Sequence, residues 1–142
     1  MDAQIFADAV VDVNHQIPYG KVGVRGDALC LAGIGAALLA KSGKVYKGCN
    51  VENAAYSPTN CAERTAFFKA VSEGEREFVK IAIVGGVEGT EPEELCAPCG
   101  VCRQVMNEFC DKDQFEIILM DGPDNVKVLK LSELLPYGFS LN

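Results

Sequence analysis

PTNCAERTAFFKAVSEGEREFVKIAIVGG, residues 58–86, changes its apolar period once along its length. Ala62, Ala66, Phe67, Ala70 and Val71 recur at helical spacing, so the first half predicts a helix with one buried face. Thr59 or Asn60 can cap it, and Gly74 ends it. Val79 to Val84 is then a short, almost unbroken apolar run stopped by Gly85-Gly86. Such a run predicts a strand buried on both faces, which needs helices or loops over the sheet.

Working outward, residues 28–40 are nearly all apolar and predict a second buried strand. Ser42-Gly43 predicts a hairpin turn, with Lys44–Asn50 as the partner strand. Ile5, Ala9, Val10 and Val13 share one face of a predicted helix over 2–14, with Asp2 as its cap. Downstream, a Glu- and Pro-rich loop spans 88–98. A helix from Gly100 to Cys110 follows, with Val101, Val105, Met106 and Phe109 facing inward. Strands over Phe115–Met120 and Val126–Leu131 and a short helix over Ser132–Leu135 close the chain. The order is a helix, a hairpin, then helices alternating with strands. That pattern predicts an α/β sandwich with later crossover connections.

The chain has 142 residues and fits one domain, 1–142. Its formal net charge is −7, and its Lys and Arg are scattered, so a nucleic acid polymer is not the expected partner. The start, Met1-Asp2-Ala3-Gln4, has no cationic region leading into an apolar run, and no stretch reaches membrane-spanning length. The expected location is cytoplasmic. There, clustered cysteines point to a metal or to catalysis rather than to disulfides.

Seven cysteines are present, at 30, 49, 61, 96, 99, 102 and 110. Cys61-Ala62-Glu63 and Pro98-Cys99-Gly100-Val101-Cys102 each stand at a predicted helix start. A Cys-x-x-Cys step at a helix start lets two sulfurs face one ion, and Cys61 holds the equivalent place on the other helix. A catalytic zinc takes three protein ligands and leaves a position for water. Glu63, in the first turn after Cys61, is placed to move a proton without being a ligand. Three thiolates would weaken zinc as a Lewis acid; Arg64, Arg103 and the two helix N-termini offer compensating positive charge. The alternative is a closed site: Cys96, Cys99, Cys102 and Cys61 could make a four-cysteine structural zinc or hold an iron–sulfur cluster. Cys30, Cys49 and Cys110 lie in apolar or strand contexts and are expected in the core.

With these residues placed, the chain resembles the cytidine deaminase family. The stretches that carry the likeness are Gly48-Cys49-Asn50-Val51-Glu52-Asn53-Ala54-Ala55-Tyr56, Cys61-Ala62-Glu63-Arg64-Thr65-Ala66, Pro98 to Val105, and Glu133 to Phe139. The resemblance implies a three-layer α-β-α sandwich around a mixed sheet of about five strands. It implies one Zn²⁺ per chain on Cys61, Cys99 and Cys102. Glu63 would carry a proton from a zinc-activated water to N3 of cytosine, and then to the amino group leaving C4 as ammonia. Backbone groups around Ala62 and Cys99 would hold that amino group. Asn50 and Glu52, which alternate along a strand end and share a face, would grip the ribose. A solvated strand end is the other reading of that pair. Ala54 and Tyr56 would enter a neighbouring subunit's site, and Phe139 would stack from another or serve as a packing anchor. These sharings imply a homotetramer acting on a small nucleoside.

One segment departs from the family pattern. About ten extra residues separate Pro18-Tyr19-Gly20 from Ile34-Gly35-Ala36-Ala37-Leu38, and no aromatic stands where the family stacks its base. Another cytosine nucleoside, of the blasticidin type, is therefore the alternative substrate.

Overall fold

A computed structural model describes residues 32–51, 53–87, 95–120 and 125–141. The chain runs β1 (Ala32–Ala40), β2 (Val45–Cys49), α1 (Ala62–Ser72), β3 (Phe78–Val87), α2 (Gly100–Phe109), β4 (Glu116–Met120), β5 (Val126–Lys130) and a single turn α3 (Leu131–Leu134). The five strands form one mixed sheet in the order β2-β1-β3-β4-β5. β1 is antiparallel to β2 and β3, β3 is parallel to β4, and β4 is antiparallel to β5. The hairpin expected around Ser42-Gly43 joins β1 to β2, closed by Ala40 N–H donating to Lys44 O at 3.0 Å. α2 makes the crossover between the parallel pair, as such a connection requires.

The apolar runs are buried on both faces, as their lack of alternation predicts. On one face Ala36, Leu38, Ile81, Ile83, Ile117 and Leu119 meet Ala62, Ala66, Phe67 and Ala70 of α1 and Cys102 and Met106 of α2. Ala37, Leu39, Ala82, Val84, Ile118 and Met120 are buried on the other face. α1, α2 and α3 all contribute to the first of these clusters. The helix expected over 2–14 lies outside the described residues, as do the strand start before Ala32, Cys30 and the segment before β1 that departs from the family pattern.

α1 is seated by Phe67, whose ring centroid lies 5.0 Å from Phe78, 6.0 Å from Phe115 and 6.4 Å from Phe109. Gly74 stops the helix with φ +103°, a conformation that costs a residue with a side chain. Gly48 lets β2 run against α1: a Cβ there would lie 2.3 Å from Ala62 O and 2.7 Å from Ala66 N.

Two expectations are corrected. The cap of α1 is Cys61, in extended conformation, and not Thr59 or Asn60. A bridge between Val51 and Asn60, with N–H to O distances of 2.8 and 2.9 Å, keeps Asn60 extended, so the helix begins only after Cys61. Val101 is 58% exposed rather than inward. Cys102 takes the buried place on that turn, because α2 is rotated to present its sulfur toward α1.

Candidate metal centre and active site

The N-caps of α1 and α2 are both cysteines, Cys61 and Cys99. The Sγ atoms of Cys61 and Cys99 are 3.7 Å apart, and those of Cys61, Cys99 and Cys102 all lie within 4.8 Å of one another. A tetrahedral zinc with Zn–S bonds of about 2.3 Å sets its sulfurs about 3.8 Å apart. The donor set therefore fits that ion in chemistry and in spacing.

Cys96 does not join the group. Its Sγ lies 2.9 Å from where a Cβ on Gly85 would sit, so it packs under β3, and burial pushes its thiol up to about 11. Among the described residues no fourth side chain completes the cluster. Of the other cysteines, Cys110 packs against the core and burial raises its thiol; Cys49 is half-buried at the end of β2.

Glu63 is only 3% exposed, and Cys102 Sγ lies 3.5 Å from its Oε2. Burial raises its carboxyl above the ordinary range, opposed by its own backbone N–H, by Cys102 and by the charge of Arg64. A carboxyl moved toward neutrality is suited to giving and taking a proton. The sulfurs differ from one another. Burial raises Cys61, with the Arg64 hydrogen bond opposing it, and burial together with the charge of Glu63 raises Cys102. At Cys99 burial also opposes ionisation, but hydrogen bonds from the Cys102 and Val101 N–H groups and from the Cys102 and Cys61 side chains bring it below its ordinary value. Exposed backbone N–H groups at a helix start have this effect on thiols.

Arg64 donates through Nη2 to Cys61 Sγ at 3.4 Å and to Thr59 O at 3.5 Å. The other arginine expected to compensate the thiolates does not reach them. Arg103 donates to Pro98 O and Leu134 O, both at 2.7 Å, and so ties the Cys99 loop to α3. The approach to Cys61 is braced by Thr65, whose hydroxyl donates to Cys61 O at 3.2 Å and accepts from Asn60 Nδ2 at 3.1 Å. Nothing in the spacing marked Thr65 except its place one turn after Cys61.

The expected substrate contacts are spread more widely. Asn50 follows β2, and its Oδ1 accepts from Ile34 N at 2.9 Å, which fixes the amide against β1. Glu52 lies outside the described residues. Ala54 and Tyr56 are exposed on a tight loop in which Asn53 Oδ1 accepts from Ala55 N at 2.9 Å, and Tyr56 has φ 63°. Phe139 is 79% exposed on the C-terminal tail. Thus Cys61, Ala62, Glu63, Arg64, Cys99 and Cys102 converge, while Ala54, Tyr56 and Phe139 are exposed in the single chain.

The family model for the cytidine and deoxycytidylate deaminase zinc-binding region matches residues 27–116. A cytidine deaminase from Sporosarcina psychrophila is 50% identical over 75% of this chain and 74% of its own. The chain belongs to the cytidine deaminase family. A cytidine deaminase from Burkholderia pseudomallei, solved at 1.6 Å, superposes with a TM-score of 0.76 at 39% identity, covering 98% of this chain and all of that one. A blasticidin-S deaminase from Bacillus cereus is 31% identical over 77% of this chain and 78% of its own. The α/β fold with its mixed five-stranded sheet is thus the fold of solved cytidine deaminases. The three-thiol group stands within the segment that the zinc-binding family model spans. No helix among the described residues is long and apolar enough to cross a membrane.

Proposed function

We propose that this chain is a zinc-dependent cytidine deaminase that hydrolyses cytidine and deoxycytidine to the uridines and releases ammonia. The observation that carries the reading is a buried carboxylate, Glu63, set against a cluster of three thiols that no fourth residue among those described completes. A closed structural site would need Cys96, which packs elsewhere.

Cys61, Cys99 and Cys102 would hold one zinc per chain, which when bound supplies a water acidic enough to act as nucleophile near neutral pH. Glu63 takes the proton of that water and delivers it to N3 of the ring as C4 becomes tetrahedral. It then carries a proton to the amino group, which departs as ammonia. Arg64 withdraws charge from Cys61 and so offsets the electron density that three thiolates would impose. Ala62 and Cys99 contribute backbone groups at the amino group. Asn50 and Glu52 grip the ribose; the fixed Asn50 amide supports that role.

The exposure of Tyr56, Tyr137 and Phe139 supports a homotetramer in which Ala54, Tyr56 and Phe139 complete neighbouring sites. The net charge of −7 suits a small uncharged nucleoside and not a polyphosphate chain. A single domain over 1–142, a cytoplasmic location and a role in pyrimidine salvage complete the reading. The extra residues before Ile34 favour a second possibility, a cytosine nucleoside analogue of the blasticidin type. The test is zinc analysis combined with the absorbance change of cytidine, deoxycytidine and blasticidin S on incubation with the protein. Stoichiometric zinc and turnover of cytidine support the proposal. Zinc without turnover of any of the three overturns it.

A further inference from the structure

Four polar side chains of α2 grip the backbone of the C-terminal tail. Arg103 donates to Leu134 O at 2.7 Å. Gln104 Nε2 and Asn107 Nδ2 both donate to the same acceptor, Phe139 O, at 2.9 and 3.0 Å. Glu108 Oε2 accepts from Leu141 N at 3.3 Å. Positions 103, 104, 107 and 108 form one stripe on a helix, so the tail lies along a single polar face of α2.

Asn107 is 8% exposed; it and Glu63 are the buried polar or charged residues among those described. A buried amide is costly unless its hydrogen bonds are made, and here it is matched to one backbone carbonyl. Between Leu134 and Phe139 the chain reverses tightly. Gly138 N–H donates to Leu135 O at 3.3 Å, and Tyr137 is held at φ 61°, a conformation uncommon for a residue with a side chain. A Cβ on Gly138 would lie 2.9 Å from Leu135 Cδ2 and 3.3 Å from Asn107 Oδ1, so the reversal is packed directly against Asn107. Yet the Phe139 ring is largely bare in the single chain. The tail is gripped by its backbone, and the ring is not what anchors it.

We propose that Asn107 and Gln104 are positioning residues for Phe139. By fixing its carbonyl they set the direction in which the ring leaves the tail. α2 is capped by Cys99 and carries Cys102 in its first turn, less than two turns before Asn107, and over this length a helix is stiff. It therefore holds the ring in register with the metal-binding thiols of its own chain, and through a symmetric assembly with the site of a neighbour. This inference rests on the reading that Phe139 contributes an aromatic face to substrate in a neighbouring copy.

The test is a mutant cycle on the zinc-loaded protein with cytidine. Gln104→Ala and Asn107→Leu should each raise KM by roughly fivefold, the loss of one net hydrogen bond, with kcat and zinc content little changed. Combined with Phe139→Ala, neither should add to the effect of Phe139→Ala alone, because the positioned ring is gone. If Phe139→Ala leaves KM unchanged, the underlying reading of Phe139 fails, and this inference with it. If Phe139→Ala raises KM while Gln104→Ala leaves it unchanged, or the effects multiply, only the positioning role is overturned. Gln104 is the less buried of the two, so its variant decides should Asn107→Leu not fold. The chain has no Trp, so Phe139→Trp also gives a single reporter. Its fluorescence anisotropy should fall when Gln104→Ala is added, and an unchanged value counts against the clamp.

Discussion

Gly48→Ala should loosen both the fold and the active site, because β2 passes α1 closer than any side chain permits. The added Cβ would lie 2.3 Å from Ala62 O, 2.7 Å from Ala66 N and 3.2 Å from Ala66 Cβ. Two of these are backbone atoms of α1, so no rotamer change relieves the clash. Reaching even 3.0 Å from Ala62 O requires the helix to move by about 0.7 Å, the difference between 3.0 and 2.3 Å. Overpacking of this kind costs about 1–3 kcal/mol. For a chain of this length that lowers Tm by roughly 4–12 °C at fixed protein and zinc concentration. α1 carries Cys61 and Glu63, while Cys99 and Cys102 are on α2, so the 3.7 Å sulfur spacing should be disturbed too. Misplacement approaching 1 Å at a reacting centre can cost about 10²-fold, so kcat should fall by tens-fold and zinc affinity with it. Gly100→Ala is the control: a Cβ there meets nothing within 4 Å, and alanine favours the helix by about 0.5–1 kcal/mol. Thermal melts, zinc content and the absorbance assay on both variants decide the matter. A Gly48→Ala protein that melts and turns over like its parent would refute the close-approach argument.

Glu63→Gln should retain one zinc and the fold while kcat falls by at least about 10²–10⁴-fold, since the amide keeps the shape but cannot carry a proton; near-normal turnover removes Glu63 from the mechanism. Cys96→Ser should keep zinc and activity, whereas Cys61→Ser, Cys99→Ser and Cys102→Ser should each lose one or both. Equal metal loss from Cys96→Ser would mean a closed four-cysteine site. Arg64→Ala should reduce activity more than zinc content, by about 10–100-fold, and shift the acidic limb of the pH–rate profile to higher pH. The sign follows from the charge: without the guanidinium on Cys61 the metal is more electron-rich and its water less acidic. An unchanged profile and rate would make Arg64 a surface group.

The sequence by itself determined what local spacing controls. The period change within residues 58–86 marked α1 and β3, and the unbroken apolar runs marked strands buried on both faces. Cys61-x-Glu63 and Cys99-x-x-Cys102 pointed to the chemistry, because covalent spacing at a helix start already dictates which side chains share a direction. What only the tertiary structure decided depends on segments far apart in the chain. Cys61 and Cys99 are 38 residues apart and meet because the sheet sets α1 beside α2; the same packing draws Cys96 away under Gly85. Arg64 and Arg103 each follow a motif residue directly, yet one reaches a sulfur and the other two carbonyls, since helix rotation decides what each touches. The cap of α1 moved to Cys61 because a bridge to Val51 holds the chain ahead of it. Gln104 and Asn107 read as ordinary polar helix residues until the tail, more than 30 residues on, lies down against them. Short-range periodicity is written in neighbouring residues, but the partner of a hydrogen bond is fixed only when packing brings distant backbone within about 3 Å.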